Sequence, residues 1–181
     1  MTRRRWIDKL ARLMVMLKLQ FIDPFRLAEN EEALSGSVNL NAMQRLREVL
    51  CGDSGDAEYQ LQFGIDDQGI TCIQGEFSAI LKIQCQRCMK PMSLSLSNRI
   101  NVAVVLEQDE PDNIPQQYDV LLLNDTHLAL ETLIEDEILL ALPISPLHDR
   151  DSCEAADLIK EHMPAKENPF AVLRDLKQRK L

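Results

Sequence analysis

Between Tyr59 and Leu106 apolar residues recur at every second position, and this period confines the middle of the chain to β-sheet. Tyr59, Leu61, Phe63 and Ile65 alternate with polar residues, the signature of a strand with one buried face. Asp66-Asp67-Gln68-Gly69 reads as a turn, with Gly69 free to take positive φ. Ile70–Phe77 reads as a second strand interrupted at Gly75, and Ala79, Leu81 and Ile83 resume the alternation. After Pro91, the residues Met92, Leu94, Leu96, Ile100, Val102, Val104 and Leu106 share one parity, which describes a long, bent strand. Strands this close in sequence predict antiparallel hairpins.

The flanks carry other patterns. Residues 17–27 read as a strand or extended arm ending at Asp23-Pro24, and 28–39 as a polar loop or short strand. Asn41 is placed to cap a short helix with Met43, Leu46, Val49 and Leu50 on one face and Gly52 at its end. The acidic 107–117 segment, with Pro111 and Pro115, reads as a loop, and Tyr118–Leu123 as a short strand. Asp125 or Thr126 is placed to cap a stronger helix. Its apolar face is Leu130, Ile134, Ile138 and Ala141, with Glu131, Glu135 and Asp136 opposite and Pro143 and Pro146 as stops. Asn168-Pro169 opens a last short helix, Asn as cap and Pro at its first position. The expected fold is α+β, an antiparallel sheet of about four to six strands, including a Cys-x-x-Cys hairpin, packed with two or three helices. The expected organisation is a basic N-terminal extension (1–16), a core domain (17–148), an acidic flexible loop (149–167) and a basic C-terminal helix (168–181).

Charge narrows the possible partners. The chain of 181 residues has a net charge of -9, unevenly spread. Residues 1–20 hold Arg3, Arg4, Arg5, Lys9, Arg12 and Lys18 against Asp8, whereas residues 101–167 hold sixteen acids against three bases. An acidic body repels phosphate backbones and disfavours broad nucleic-acid binding. The basic end at Arg174, Lys177, Arg179 and Lys180 remains a candidate RNA or partner contact. The N-terminal apolar stretch is broken by Lys9, Arg12 and Lys18 and precedes no small-x-small cleavage site, unlike a signal peptide. An initiator at Met14 or Met16 is the favoured reading, with a basic amphipathic helix as the alternative; its lying on a membrane surface is the lesser form of that alternative, and no membrane partner is expected. No apolar run is long enough to span a membrane.

Five cysteines form an odd, sparse set, which fits a reducing cytoplasm better than a secreted disulfide framework. Cys51 and Cys72 read as small buried hydrophobes. Cys85-Gln86-Arg87-Cys88 lies between two strand patterns with Pro91 just beyond. Two thiolates in such a turn reach one Zn²⁺ at tetrahedral angles. A redox pair would instead be expected to open a helix. His148 and Cys153, separated by Asp149-Arg150-Asp151-Ser152, are the candidates for the remaining ligands of one structural zinc site; spacing does not show that the two loops meet. The competing reading is a surface histidine and a free thiol. Glu135-Asp136-Glu137 could suggest paired carboxylates, but adjacent helical residues fan apart, so a solvated acidic face is expected. His127 and His162 carry no assigned role. No nucleophile elbow, phosphate loop or dinucleotide fingerprint occurs, and no small-molecule substrate is implied.

Three segments together resemble the bacterial YceD family of large ribosomal RNA subunit accumulation proteins. They are Cys85-Gln86-Arg87-Cys88 with Pro91; Ile134 through Pro143, continuing by Pro146-Leu147-His148-Asp149 to Cys153; and Asn168-Pro169-Phe170-Ala171-Val172-Leu173 with Leu176-Lys177. The resemblance covers roughly residues 17–181; residues 1–16 have no counterpart in it. It implies a non-enzymatic, cytoplasmic ribosome biogenesis factor acting in the synthesis, processing or accumulation of large-subunit ribosomal RNA. The implied partner is that RNA, a pre-ribosomal particle, or a ribosomal or RNA-processing protein. The alternatives are a zinc-knuckle protein-binding adaptor and a thiol oxidoreductase.

Overall fold

A computed structural model describes residues 21–52, 54–107, 114–149 and 152–155. Five strands form the main sheet: β2 (Ala33–Asn39), β3 (Asp56–Ile65), β4 (Thr71–Gln84), β5 (Pro91–Leu106) and β6 (Asp119–Leu123), in that spatial order. The α+β class stands as expected. The pairs β2–β3, β3–β4 and β4–β5 are antiparallel, whereas β6 joins β5 in parallel. A parallel neighbour needs a crossover of about a dozen residues, and the connection from Glu107 to Tyr118 supplies that length.

The alternation works as read. Tyr59, Leu61, Phe63, Ile73, Phe77, Leu81 and Ile83 are buried on one face, while Gln60, Gln62, Gln74, Glu76 and Ser78 are exposed on the other. Ile65 is the exception, half exposed at the strand end. Gly75 does not interrupt a strand, since β4 runs unbroken from Thr71 to Gln84. A Cβ at Gly75 would collide with the backbone carbonyl of Gln60 on β3, so the glycine permits close approach of two backbones. Gly69 takes φ +83° in the β3–β4 turn, where Asp66 Oδ1 accepts from the N–H groups of Gln68 and Ile70.

Two α-helices cover the buried face. Helix α1 (Pro24–Glu29) packs on β3 and β4, and α2 (Leu130–Ala141) packs on β5. Asp23-Pro24 therefore begins a helix and does not end an arm. Asp23 Oδ1 accepts from the N–H groups of Phe25 and Arg26, and Pro24 sits in the first turn where its missing donor costs nothing. Among the described residues of that arm, only Phe21–Ile22 (β1) forms a strand, paired with Leu128–Ala129 (β7). The polar 28–39 segment divides between the end of α1 and β2.

The helix expected after Asn41 is instead two short 3-10 turns, Leu40–Ala42 and Leu46–Glu48. Asn39, not Asn41, caps the first. Met43 and Leu46 are buried, but Val49 is exposed. Helix α2 starts at Leu130 without a side-chain cap, because the residues expected to precede it inside the helix are pinned in the β1–β7 pair. Asp125 serves a local turn, accepting from the His127 N–H. Leu130, Ile134 and Ile138 face the core as expected, joined by Leu133.

The acidic face of α2 is not solvated as expected: Glu135 and Glu137 are buried. Cys72 is buried, in a small second cluster with Ala103 and Tyr118, but Cys51 is only half-buried. No described helix is long and apolar enough to cross a membrane.

Candidate metal centre

The β4–β5 hairpin ends in a six-residue loop, Cys85–Lys90, that folds back on itself. Cys85 N–H donates to the Lys90 carbonyl and Met89 N–H to the Cys85 carbonyl, both at 2.9 Å. The Gln84 side-chain amide holds the Met89 carbonyl at 2.9 Å. Closing so tight a loop drives Met89 to φ +60°, a left-handed conformation that disfavours any residue with a Cβ. This turn presents Cys85 and Cys88 to the same side.

The other half of the cluster arrives from the end of α2. Leu142 terminates the helix in an extended conformation, and Pro143 and Pro146 keep the following chain from returning to helix. The Gln86 N–H donates to the Pro146 carbonyl at 2.8 Å, tying this segment to the hairpin loop. Two residues later His148 enters the cluster, and Cys153 follows it. The four expected ligands, Cys85, Cys88, His148 and Cys153, thus come together: their ligand atoms all lie within 4.8 Å of one another.

Their environment suits soft donors. Cys85 and Cys153 are buried, with Met92 and Ala155 against them. Cys88 Sγ lies 3.3 Å from His148 Nδ1. Backbone N–H groups point at Cys85 Sγ, among them those of His148 at 3.4 Å and Arg87 at 3.5 Å. Burial pushes the Cys85 thiol up, but N–H donors from Cys88, His148 and Arg87 and the Cys88 thiol outweigh it, bringing the group down to about 5. At Cys88 the Lys90 N–H pulls downward, and burial with the sulfurs of Cys85 and Cys153 overcomes it, leaving that thiol above its ordinary value. An exposed Lys90–Glu154 ion pair closes the rim; such a pair adds little stability on its own.

Three thiols and an imidazole are a donor set for a tetrahedral, borderline-soft cation. Tetrahedral Zn–S bonds of about 2.3 Å place sulfurs about 3.8 Å apart, so a cluster whose ligand atoms lie within 4.8 Å of one another needs to tighten only at its widest separations to seat an ion. Ligation by all four would leave no position open for water or substrate. The donors therefore fit a structural ion.

A second buried polar constellation escaped the sequence reading. Glu135 Oε1 accepts from the backbone N–H groups of Arg45 and Leu46, at 2.8 and 3.0 Å. Its Oε2 accepts from the Arg45 guanidinium at 3.2 and 3.0 Å, and Arg45 also pairs with Asp136. Burial pushes the Glu135 carboxyl up, but these donors and the guanidinium outweigh it and hold it below its ordinary value. Glu137 has no such help: burial, then Asp119 and Asp136, raise its carboxyl. One signal was available in the sequence. Glu137 lies four residues after Leu133 and three after Ile134, on the stripe that faces the core. The basic candidates Arg174, Lys177, Arg179 and Lys180 lie outside the described residues, as do His162 and the Asn168-Pro169 segment.

Residues 73–177 match the family model described as "Large ribosomal RNA subunit accumulation protein YceD". A Haemophilus influenzae protein of that same name is 30% identical over 165 residues, covering 87% of this chain and 95% of the relative. No solved structure matches significantly.

Proposed function

Since the chain belongs to the YceD family of large ribosomal RNA subunit accumulation proteins, we propose that it is a non-enzymatic factor supporting the accumulation of large-subunit ribosomal RNA. In this reading, one structural Zn²⁺ locks the hairpin loop to the segment after α2. Cys85, Cys88 and Cys153 would supply three thiolates and His148 its Nδ1. The observation that carries the zinc reading is the convergence of these four side chains from two loops about sixty residues apart in sequence. Bound metal would withdraw the thiols from redox chemistry. The competing oxidoreductase reading is further disfavoured because Cys88 leads into strand β5 and not into a helix N-terminus, which would activate a thiol.

The acidic body and basic C-terminal residues divide the proposed labour. Arg174, Lys177, Arg179 and Lys180 would contact phosphates of large-subunit RNA or of a pre-ribosomal particle in the cytoplasm. Leu140 in the last turn of α2, and Ile144 and Leu147 in the segment leading to His148, are exposed and favour a second reading, in which this part of the chain also docks a ribosomal or RNA-processing protein. The test is genetic and biochemical. Depletion should lower the ratio of large- to small-subunit ribosomal RNA, with rescue by the wild type and not by Cys85→Ser with Cys88→Ser. An unchanged ratio on depletion overturns the proposal. Affinity for large-subunit precursor RNA should fall linearly with salt on logarithmic axes; a flat dependence would move the contact to the protein-docking surface.

A further inference from the structure

We propose that the free edge of strand β2 pairs with the same edge of a second copy of this chain, joining two five-stranded sheets across a two-fold axis at Gly36. β2 is the first strand of the sheet, and no described residue pairs with its outer side. Edge strands usually carry a device against such pairing, such as a charge, a proline or a bulge. The run Ala33-Leu34-Ser35-Gly36-Ser37-Val38-Asn39 carries no charge and no proline, and its register against β3 is uninterrupted.

The hydrogen-bond parity identifies which groups are free. Just outside the strand, Phe63 N–H donates to the Glu32 carbonyl, and at the other end Leu40 N–H donates to the Gly55 carbonyl. Both contacts continue the Ala33↔Gln62 register. Bonded pairs in an antiparallel ladder recur at every second residue, so Leu34, Gly36 and Val38 bond β3. The N–H and C=O groups of Ala33, Ser35, Ser37 and Asn39 therefore point outward. A two-fold centred on Gly36 sets Ser35 opposite Ser37 of the second copy and Ala33 opposite Asn39. It is the register that overlaps all seven residues with outward groups facing outward groups.

The side chains are complementary about the same point. Exposed Ser35 and Ser37 would meet on the solvent face, and Leu34 would meet Val38 on the core face. Gly36 falls on the axis at a non-hydrogen-bonded position, where backbones approach to about 4.5 Å. Beneath it lies Tyr59, which is only 5% exposed. The Tyr59 hydroxyl is 2.7 Å from where a Gly36 Cβ would be. That hydroxyl makes no hydrogen bond to another described residue, and Gly36 and Tyr59 both line a concavity that runs from this edge across the sheet to Arg99 on β5. The two-fold would bring the two hydroxyls toward each other. A seven-residue strand pair falls at the small end of interface sizes, so the dimer is weak and concentration-dependent.

Sedimentation velocity of the full chain from about 1 to 200 µM should show monomer converting to dimer. Ser37→Pro removes an outward N–H that β3 does not use, a position where edge strands accept proline. It should weaken dimerisation at least tenfold with an unchanged circular dichroism spectrum. Ser35→Lys with Ser37→Lys should also give monomer, and mixing that variant with Ser35→Glu plus Ser37→Glu should restore a mixed dimer. Monomer at every wild-type concentration overturns the proposal. So does a dimer indifferent to these variants, or a monomer whose Ser35 and Ser37 amides resist hydrogen exchange, which would place another segment of the same chain on the edge.

Discussion

Replacing Glu135 with alanine tests whether α2 is anchored by a carboxylate that caps backbone or by a salt bridge. Its Oε1 satisfies two N–H groups of the 3-10 region, and the one on Leu46 is buried. Hydrogen bonds to a charged acceptor contribute roughly 1.5–3 kcal/mol each, so losing both costs about 3–6 kcal/mol. The Arg45 guanidinium is half exposed, with a side-chain exposure of 52%, and water replaces its contacts at small cost. Arg45→Ala should therefore cost far less than Glu135→Ala. Glu135→Gln keeps a neutral acceptor for the backbone but turns an amide donor toward the guanidinium, for an intermediate loss of about 1–2 kcal/mol. Urea unfolding followed by far-UV circular dichroism measures all three; the single tryptophan lies outside the described residues. The melting temperature of Glu135→Ala should drop by on the order of 10 °C.

The pH dependence supplies the sign. The folded Glu135 carboxyl sits below its ordinary value of 4.5. Its stabilisation is fully present above that value and is lost as pH falls through the lower folded one. The gap between wild type and Glu135→Gln should thus be constant near neutrality and close in acid. Equal losses for Arg45→Ala and Glu135→Ala, or a gap that ignores pH, would refute the backbone-capping argument.

Glu137→Gln should act in the opposite direction. Burial and the neighbouring carboxylates raise its folded value, so the charged form is a cost above that value that disappears below the unfolded one. The variant should gain roughly 0.5–2 kcal/mol at pH 7 and nothing in strong acid; a loss at neutral pH would show an unrecognised partner. Gly75→Ala should lose about 1–3 kcal/mol, since its Cβ meets β3 backbone that cannot rotate away, and an unchanged urea midpoint would count against the close approach. Elemental analysis should find one zinc per chain, with chelation lowering the melting temperature and Cys153→Ser losing the metal; a metal-free protein of undiminished stability would remove the structural ion.

The sequence alone determined those features whose physics is local. Alternation from Tyr59 to Leu106 specified three long strands and their buried face, because a period of two has no other folded solution of that length. Asp66 and Gly69 specified a turn through their own backbone preferences. The four metal-ligand candidates could be named from residue chemistry, and the family resemblance rested on the order and spacing of three segments, of which these ligands are only part. Tertiary structure decided what depends on distant partners. The Gln86–Pro146 hydrogen bond brings His148 and Cys153 to the hairpin loop, and no spacing rule encodes that meeting. The β1–β7 pair displaces the start of α2 from the side chains placed to cap it. Glu135 reads as solvated from its neighbours on the helix, yet it is buried because two N–H groups ninety residues earlier need an acceptor. Local preference chose the strands and the ligands, while the satisfaction of buried polar groups across the fold chose where they meet.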